Sequence, residues 1–327
     1  MKALQIKKYG EIKDGLSINR VEKPSPNAKD ILIEVKAASL NPIDYKMVEG
    51  LLKEKVPLNL PCTIGFDVSG VVVEMGADVG NFEIGDEVYS RVPQDQMGTV
   101  AEFVVVNSDF VAKKPENISF EEASGLPLTG LTAIQALERV GIKEKDRVLI
   151  HAGSGGVGSF AIQYAKAKGA IVYTTTSTKN VGWVQALGAD RVIDYKTEDY
   201  KEVANNLDIV FDTLGGDYTF DAFGIIRIGG KVTTIAGPPD EETAKQMGMT
   251  DYKLPEQLSN LIKEKSAVYK STWMQPNGEQ LNSITKMVEN GDIKPIVDLI
   301  YSIEDGIDAY EYLAMGRAQG KVIISFS

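Results

Sequence analysis

Cysteine and histidine are almost absent from this sequence of 327 residues, which contains one of each, Cys62 and His151. A single thiol excludes an internal disulfide and a CxxC redox pair. A structural zinc site of four thiolates is impossible, and a catalytic zinc site with His and Cys ligands is disfavoured. A Ser/His/Asp or Cys/His mechanism would need His151, which lies at a glycine turn where a hydrolytic base would be poorly placed. We interpret His151 as a residue of a strand end and Cys62 as a small packed residue.

Long apolar runs and clusters of basic residues are also missing. No apolar stretch approaches the roughly 18 residues of a membrane span, and no signal peptide precedes the strand-like N-terminus, so we expect a cytoplasmic protein without membrane attachment. The net charge of −11 and the lack of clustered Lys and Arg disfavour nucleic acid as a partner. A hydrophobic content of 43% is ordinary for a globular protein, and the length suits two domains.

The most informative stretch spans residues 148–170 and is typical of a strand, a glycine turn and a helix. The apolar run 148–150 is followed by Gly153, Gly155 and Gly158 in a G-x-G-x-x-G pattern. Apolar residues then recur on one helix face, at Val157, Phe160, Ala161, Tyr164 and Ala165. Such glycines permit a sharp turn, close approach of the backbone to a pyrophosphate, and close helix packing. The pattern predicts a dinucleotide site whose binding residues in the turn are Ser154, Gly155, Gly156 and Val157.

Residues before Ser119 have the pattern of a β-rich domain. Residues 31–37 alternate as in a half-buried strand, with Leu32, Glu34 and Lys36 on the second face. Frequent glycines between further strand-like runs predict a closed or partly closed β-structure. Two less regular segments, 41–61 and 91–98, are candidate functional loops. At Ser119 a capping box with Glu122 begins a mostly helical stretch that continues to about Arg139.

From residue 147 onward, strand-like runs alternate with helical ones. The predicted strands are Arg147 to Ala152, Ile171 to Ser177, Arg191 to Tyr195, Leu207 to Leu214, Lys231 to Ala236 and Ala267 to Trp273. Six strands with helical connections predict a doubly wound parallel sheet. The acidic loop 238–255 could cover a ligand or could be a plain solvated loop. The last residues, 321–327, are predicted to form a strand that returns to the first domain.

The residues after the second of these strands indicate which dinucleotide binds. NAD-specific sites carry an Asp or Glu about 20 residues past the glycines, where it bonds the ribose 2′-hydroxyl. Here the region reads Ser177, Thr178, Lys179, with no carboxylate. Hydroxyls and a cation can donate to a 2′-phosphate, which a carboxylate would repel. We predict that these three residues bind NADPH, with a merely polar strand end as the alternative.

Eight sequence blocks spread over the whole chain carry a family resemblance. They are ASLNPIDYK (38–46), GFDVSGVV (65–72), VGNFEIGDEVY (79–89), LTAIQAL (131–137), HAGSGGVG (151–158), TTSTKN (175–180), LGADRVIDY (187–195) and GRAQGKVI (316–323). Their number and order resemble the medium-chain dehydrogenase/reductase superfamily, in its zinc-free quinone oxidoreductase and 2-alkenal (enone) reductase branch. The resemblance implies an α/β fold. It joins a chaperonin-10-like (GroES-like) catalytic β domain over 1–118 to a Rossmann NADPH-binding domain over 119–290, and residues 291–327 return to the first domain.

The same resemblance implies a site in the cleft between the domains, a homodimer, and roles for further residues. Tyr195 would flank the adenosine, Ile235 and the backbone near Gly237 would line the cofactor, and Arg317 with Ala318 would approach it. Zinc-dependent alcohol dehydrogenases of the superfamily place a Cys ligand near Asn41 and a GHE block where this chain has Gly65, Phe66, Asp67. The missing ligands remove Lewis-acid catalysis of alcohol oxidation and favour direct hydride transfer.

The predicted reaction is reduction of a carbonyl-conjugated double bond, in which a donor stabilises the developing enolate. Lys46 matches the lysine that contacts cofactor and carbonyl in the resembling enone reductases, and Tyr45 could donate a hydrogen bond or proton. Asn41 and Thr132 would position the nicotinamide and its ribose. Asp44 lies in the same candidate segment, but it could serve only to bond backbone groups of its loop. Tyr45 could likewise be a packed residue without a catalytic role. A quinone is the main alternative substrate, and a non-catalytic NADPH-binding protein or a zinc-type alcohol dehydrogenase that has lost its metal are the alternative functions.

Overall fold

A computed structural model describes residues 1–326 of the chain. Its strands are β1 (Lys2–Ile6), β2 (Leu16–Arg20), β3 (Asp30–Ser39), β4 (Cys62–Thr63), β5 (Asp67–Met75), β6 (Glu87–Arg91), β7 (Phe103–Asn107), β8 (Val111–Lys113), β9 (Arg147–Ile150), β10 (Ile171–Thr176), β11 (Arg191–Asp194), β12 (Leu207–Asp212), β13 (Ile226–Thr234), β14 (Val268–Ser271), β15 (Val297–Ser302) and β16 (Lys321–Ser325). Ser327, the last residue of the predicted C-terminal strand, lies outside the described residues.

The helices connect these strands along the chain. They are α1 (Ile12–Gly15), α2 (Pro42–Val48), α3 (Phe120–Ser124), α4 (Pro127–Arg139), α5 (Gly156–Ala167), α6 (Val181–Gln185), α7 (Tyr200–Val203), α8 (Asp217–Ile225), α9 (Glu241–Gln246), α10 (Glu256–Lys265), α11 (Gly278–Glu289) and α12 (Gly306–Ala314). The capping box predicted at Ser119 is present, since Glu122 N–H donates to Ser119 Oγ and Ser119 N–H to Glu122 Oε2. No helix within residues 1–326 is both long enough and apolar enough to span a bilayer.

Six parallel strands form the sheet of the second half of the chain, in the order β11-β10-β9-β12-β13-β14. The predicted doubly wound parallel sheet is therefore confirmed. The strands end one or two residues earlier than predicted, because the chain turns away at the carboxyl edge. After β9 the reason is visible in Ala152, whose φ of +53° is incompatible with a strand.

Helix α5 packs on this sheet through the predicted face. Phe160, Ala161, Tyr164 and Ala165 are all buried, and only Val157 is half-buried. The helix is covered on a further side, since Gln163 Nε2 donates to Lys294 O at 3.0 Å and Lys294 N–H donates to Gln163 Oε1 at 2.8 Å. The glycine turn therefore leads into a helix that is held on several sides.

The β-rich half is organised around β3, which pairs with β5, β7 and β16. The larger sheet has the order β15-β16-β3-β5-β6-β8, with β7 on β3, and a smaller sheet has the order β2-β1-β4. The prediction that Leu32 lies on an outer face of β3 is wrong, because its side chain is fully buried. Strand β16 runs antiparallel to β3 and pairs Ile323 with Ser39, as the predicted C-terminal return requires.

The described chain divides into two units whose boundaries differ from the predicted ones. The first unit comprises Met1–Leu131, Gln275–Gly291 and the residues from Pro295 onward; the second comprises Thr132–Met274 and Asp292–Lys294. Residues 119–131 belong to the first unit because Ser69 Oγ donates to Phe120 O at 2.5 Å. Helix α11 also belongs there, since Tyr89 donates its hydroxyl to Leu281 O at 2.6 Å.

The acidic segment 238–255 contains helix α9 and is therefore not a loop throughout. Asp240 caps the helix by accepting from Thr243 N–H at 2.9 Å. Arg139 donates to Asp240 Oδ1 at 3.2 Å and to Glu242 Oε2 at 2.7 Å, which fixes the helix start against α4. The acidic residues at the start of this segment are thus partners of a cation within the second unit.

Candidate active site

The glycine turn of the second unit follows β9 and ends at Gly155, the residue that precedes α5. An added Cβ at Gly153 would lie 2.2 Å from Thr174 Oγ1, and one at Gly158 would lie 2.2 Å from Ala152 O. Both glycines are therefore required by the protein's own packing. At Gly155 an added Cβ would meet nothing closer than Ala152 O at 3.4 Å, and its φ of −85° suits any residue. The fold leaves open space at Gly155, which fits the approach of a pyrophosphate to the helix N-terminus.

Residues 177–179 lie at the carboxyl end of β10, beside the end of β11. Thr176 pairs with Asp194 in the parallel register, so the two strand ends are neighbours. The Thr178 hydroxyl donates to the Asp194 carboxylate, which lowers the pKa of Asp194. A hydroxyl has a single hydrogen. The role of Thr178 in cofactor binding stays a prediction.

Ser177 and Lys179 keep the donors that the prediction assigned to them. Ser177 Oγ accepts from Asn180 Nδ2 at 3.3 Å, which leaves its own hydrogen free. The Lys179 side chain is exposed and forms no ion pair with any part of the chain that the structure describes. The carboxyl edge of β10 therefore carries one uncommitted cation and one uncommitted hydroxyl.

The other predicted cofactor residues lie in both units. Tyr195 follows β11 and is 48% exposed, with Lys196 Nζ 5.2 Å from its ring centroid. Ile235 follows β13 and is half-buried, and Thr132 is buried in α4. Arg317 belongs to the first unit and is exposed in the turn between α12 and β16.

Asp212, at the end of β12, was missed by sequence reasoning and organises two loops at the carboxyl edge. Its carboxylate accepts from Leu214 N–H, Gly215 N–H and the hydroxyls of Thr219 and Thr234, at 2.6 to 2.9 Å. Thr234 Oγ1 in turn accepts from Gly237 N–H at 2.8 Å. The backbone near Gly237 is therefore held by a fully buried carboxylate.

His151 and Cys62 are both unsuited to catalysis. His151 is fully buried, with its ring edge-on to Tyr200 at 4.9 Å and its Nδ1 3.2 Å from Thr175 Oγ1. Burial lowers the pKa of His151 to about 4, so the ring is neutral at pH 7. Burial raises the pKa of the Cys62 thiol to about 11, so no thiolate forms at neutral pH. Both residues are structural, as the sequence indicated.

In the first unit, the segment predicted as irregular from residue 41 begins with helix α2. Asn41 precedes the helix, Pro42 occupies its first turn, and the Asp44 carboxylate accepts from Asn41 N–H at 2.9 Å. The sequence N-P-x-D contains this start signal, since Asn caps helices and proline suits the first helical position. Asp44 therefore does satisfy a backbone group. Burial raises the pKa of Asp44 to about 7.

The two predicted catalytic side chains lie next to each other on α2. Lys46 is exposed and forms no ion pair within residues 1–326. Tyr45 is half-buried against the apolar core of the first unit, and this burial raises the pKa of its hydroxyl. The phenol is therefore protonated at neutral pH and able to donate.

Asn41 differs from its predicted role, because both ends of its amide are occupied inside the protein. Its side chain is 1% exposed. Asn41 Nδ2 donates to Asp67 Oδ2 at 2.9 Å, and Lys321 Nζ donates to Asn41 Oδ1. Asn41 Nδ2 also lies 3.4 Å from Ser39 O, so the side chain contacts the interior of the first unit on both of its ends. The partners Asp67 and Lys321 were not among the predicted site residues, although both belong to quoted sequence blocks.

Comparison with known proteins identifies the family. The alcohol dehydrogenase GroES-like domain model matches residues 27–116, and the zinc-binding dehydrogenase model matches residues 187–324. A chloroplast envelope quinone oxidoreductase homologue of Arabidopsis thaliana is 32% identical over 99% of this chain and 98% of its own. A chloroplastic NADPH-dependent alkenal/one oxidoreductase of the same plant is 34% identical over 99% of this chain and 79% of its own.

The chain belongs to the medium-chain dehydrogenase/reductase superfamily. The structure of the quinone oxidoreductase from Coxiella burnetii agrees, with a TM-score of 0.88, 34% identity, and coverage of 100% of this chain and 99% of that one. These relatives confirm the predicted branch of quinone oxidoreductases and enone reductases, and with it an oxidoreductase.

A metal site of the kind used by zinc-dependent members of the superfamily does not fit the residues present. Within residues 1–326 no group of three His, Cys, Asp or Glu side chains could hold a metal ion. Phe66 is fully buried, and the Arg91 guanidinium lies 4.7 Å from its ring centroid. An aromatic–cation contact thus occupies the place of the imidazole in the GHE block.

The substitution Gly155→Ala tests whether the glycine turn after β9 binds the cofactor, because it should affect ligand binding without affecting folding. We expect a Tm close to wild type and NADPH binding weakened at least about tenfold, because the methyl group would stand between the backbone N–H groups and the pyrophosphate. Isothermal titration and thermal denaturation measure the two effects. Gly158→Ala is the control that should lose about 1 to 3 kcal/mol of stability. Wild-type affinity in Gly155→Ala would contradict the assignment.

His151→Asn should remove one contribution to the pH dependence of stability. The folded pKa of about 4 lies below the ordinary 6.5, so the unfolded chain binds the extra proton between these values and stability falls as the pH is lowered through this window. The wild-type loss attributable to His151 is on the order of 3 kcal/mol. Urea unfolding at several pH values measures it. An unchanged slope in His151→Asn would show that the histidine does not stay neutral.

Proposed function

We propose that the chain is an NADPH-dependent, zinc-independent reductase that transfers hydride to the C=C bond of α,β-unsaturated carbonyl compounds or to quinones. The observation that carries the proposal is the uncommitted Lys179 cation at the end of β10, beside a glycine turn with open space at Gly155. The names of the relatives, a quinone oxidoreductase and an NADPH-dependent alkenal/one oxidoreductase, support the substrate classes.

Charge at the end of β10 supports NADPH over NADH. Lys179 and Ser177 offer a cation and a hydroxyl to a 2′-phosphate. The carboxylate at the end of the neighbouring strand, Asp194, is 8% exposed and accepts from Lys196 N–H at 3.0 Å. The Asp194 carboxylate is therefore already engaged by donors of its own strand end, whereas Lys179 is not.

The chemistry assigned to the first unit depends on Tyr45 and Lys46. When bound, the nicotinamide supplies a hydride to the electrophilic carbon of the substrate. The Lys46 ammonium stabilises the negative charge that develops on the substrate's carbonyl oxygen. The protonated Tyr45 hydroxyl donates to the same oxygen, and its raised pKa keeps the proton in place in the ground state. Lys46 also contacts the cofactor in this proposal. Asn41 supports the start of α2, through its backbone bond to Asp44 and its side-chain bonds to Asp67 and Lys321.

Zinc independence is supported by the donor set. The single cysteine and single histidine belong to different units, and neither is placed among carboxylates that could complete a metal site in residues 1–326. Cytoplasmic location and a homodimer stay predictions, because two relatives carry chloroplast names and no oligomer is described.

A substrate panel tests the proposed function. The purified chain should oxidise NADPH, followed by loss of its absorbance, with at least one member of a panel of 2-alkenals, cyclic enones and quinones. Lys46→Ala should lower kcat at least about tenfold, since a cation at a developing oxyanion contributes mostly to the transition state. Binding of NADPH without oxidation across the panel would favour the non-catalytic alternative. A lower affinity with unchanged kcat would contradict the role of Lys46.

Lys179→Ala tests the choice of cofactor. Loss of one charge-assisted hydrogen bond should raise the KM for NADPH by about tenfold or more and leave the KM for NADH within about twofold. Steady-state kinetics with each cofactor measure both values. Lys263→Ala is the matched control, because Lys263 is an exposed lysine of the same unit, on α10, without an ion pair in residues 1–326. Equal changes for NADPH and NADH would contradict the assignment.

A further inference from the structure

Four charged side chains meet inside the first unit at the start of α2. Asp44, Asp67, Arg91 and Lys321 come from α2, β5, β6 and β16, and none is more than 7% exposed. Two are acidic and two are basic, so charges of opposite sign face one another in the interior. Buried charges are costly unless they are paired and hydrogen-bonded. Their arrangement around one helix start therefore calls for a specific explanation.

Asn41, Asp67 and Lys321 form a closed triangle of contacts, which we call the buried clamp. Lys321 Nζ donates to Asn41 Oδ1 and lies 3.6 Å from Asp67 Oδ2. Asn41 Nδ2 donates to the same Asp67 oxygen at 2.9 Å. The second carboxylate oxygen of Asp67 accepts from Leu128 N–H at 2.9 Å. Each member contacts the other two, so the Asn41 amide has one orientation.

The buried clamp continues directly into the first turn of α2. The Asn41 backbone N–H donates to Asp44 Oδ2, which also accepts from the Tyr310 hydroxyl at 3.1 Å. The helix has only seven residues, too few to hold its direction without its cap. Tyr45 and Lys46 follow Asn41 by four and five positions, so a displacement of Asn41 displaces both.

We propose that Lys321 is a positioning residue that acts through Asn41 and Asp67 to fix the place of Tyr45 and Lys46. The inference rests on the proposed function in that these two side chains serve the substrate. Within residues 1–326 the Lys321 ammonium bonds to Asn41 and pairs with Asp67 but bonds to neither Tyr45 nor Lys46, and it is buried. Burial lowers the pKa of Lys321 and raises the pKa of Asp67, because it disfavours the charged form of each. The attraction between the two charges acts against both shifts.

Lys321→Met tests the proposal with two independent readouts. Misplacing reacting groups by about 1 Å can cost about 100-fold in rate, so kcat per folded enzyme should fall about 10- to 100-fold. The KM for NADPH should change by a smaller factor than kcat, because the residues that bind its phosphates lie in the second unit and only Lys46 of the displaced pair contacts the cofactor. Amide hydrogen exchange in residues 43–48, followed by mass spectrometry without cofactor, should rise at least about tenfold as the cap loosens.

Lys114→Met is the matched control. Lys114 is a buried lysine of the same unit whose Nζ donates to Pro115 O at 2.9 Å and Ile118 O at 2.8 Å. It should lose stability but keep kcat per folded enzyme and exchange in residues 43–48. Lys321→Arg, which keeps a cationic donor, should restore kcat to within about fivefold of wild type.

A second variant covers the case in which Lys321→Met does not fold. Asp67→Asn/Lys321→Met removes one charge of each sign and so leaves one buried acid and one buried base, Asp44 and Arg91, yet the Asn41 oxygen still loses its cationic donor. Its kcat should be lower by about tenfold, with raised exchange in residues 43–48. Wild-type kcat and wild-type exchange in either folded variant would overturn the proposal. If the wild type oxidises NADPH with no member of the panel, the proposed function fails, while the exchange data still decide for or against the buried clamp.

Discussion

Neutralisation of buried charge is the constraint on which the first unit depends. Asp67 and Arg91 are partners in the β5–β6 register, and Lys321 reaches the same place from the last strand. Burial lowers the pKa of Arg91 to about 10, and the two aspartates oppose this shift. Removing one member leaves an opposite charge without compensation, which costs more than the pair contributes. The first unit therefore needs its C-terminal strand for electrostatics as well as for β pairing.

In the second unit, the register of the parallel strands is the main constraint. Parallel pairing aligns Thr174 with Ile150 and Thr176 with Asp194, so the glycine turn and residues 177–179 emerge side by side at one edge. The Asp212 carboxylate then fixes the loops after β12 and β13. Backbone geometry thus forms this edge, and the proposed function assigns cofactor selectivity to a few side chains, Lys179 among them. This division of labour is common in parallel α/β sheets, where ligands bind at carboxyl ends of strands.

Local signals in the sequence predicted what depends on near neighbours. The six parallel strands, the capping box at Ser119 and the structural character of His151 all follow from patterns within a few residues. The place of Asn41 could not be predicted in this way, because its partner Lys321 is 280 residues away along the chain. Leu32 was assigned to an outer face of β3 because apolar and polar residues alternate there. This alternation does not show whether other elements of the protein cover both faces of the strand. The domain boundary within α4 was missed for a similar reason, since a continuous helix carries no sign of which unit each turn contacts.

The discontinuous first unit has a consequence for biosynthesis. On the ribosome, Asp44 and Asp67 emerge well before Lys321, which follows them in the chain. Most of the second unit, Thr132–Met274, is one continuous segment that can form its sheet while the chain is still growing. The N-terminal strands must therefore wait for β16 before Lys321 can contact Asn41 and Asp67.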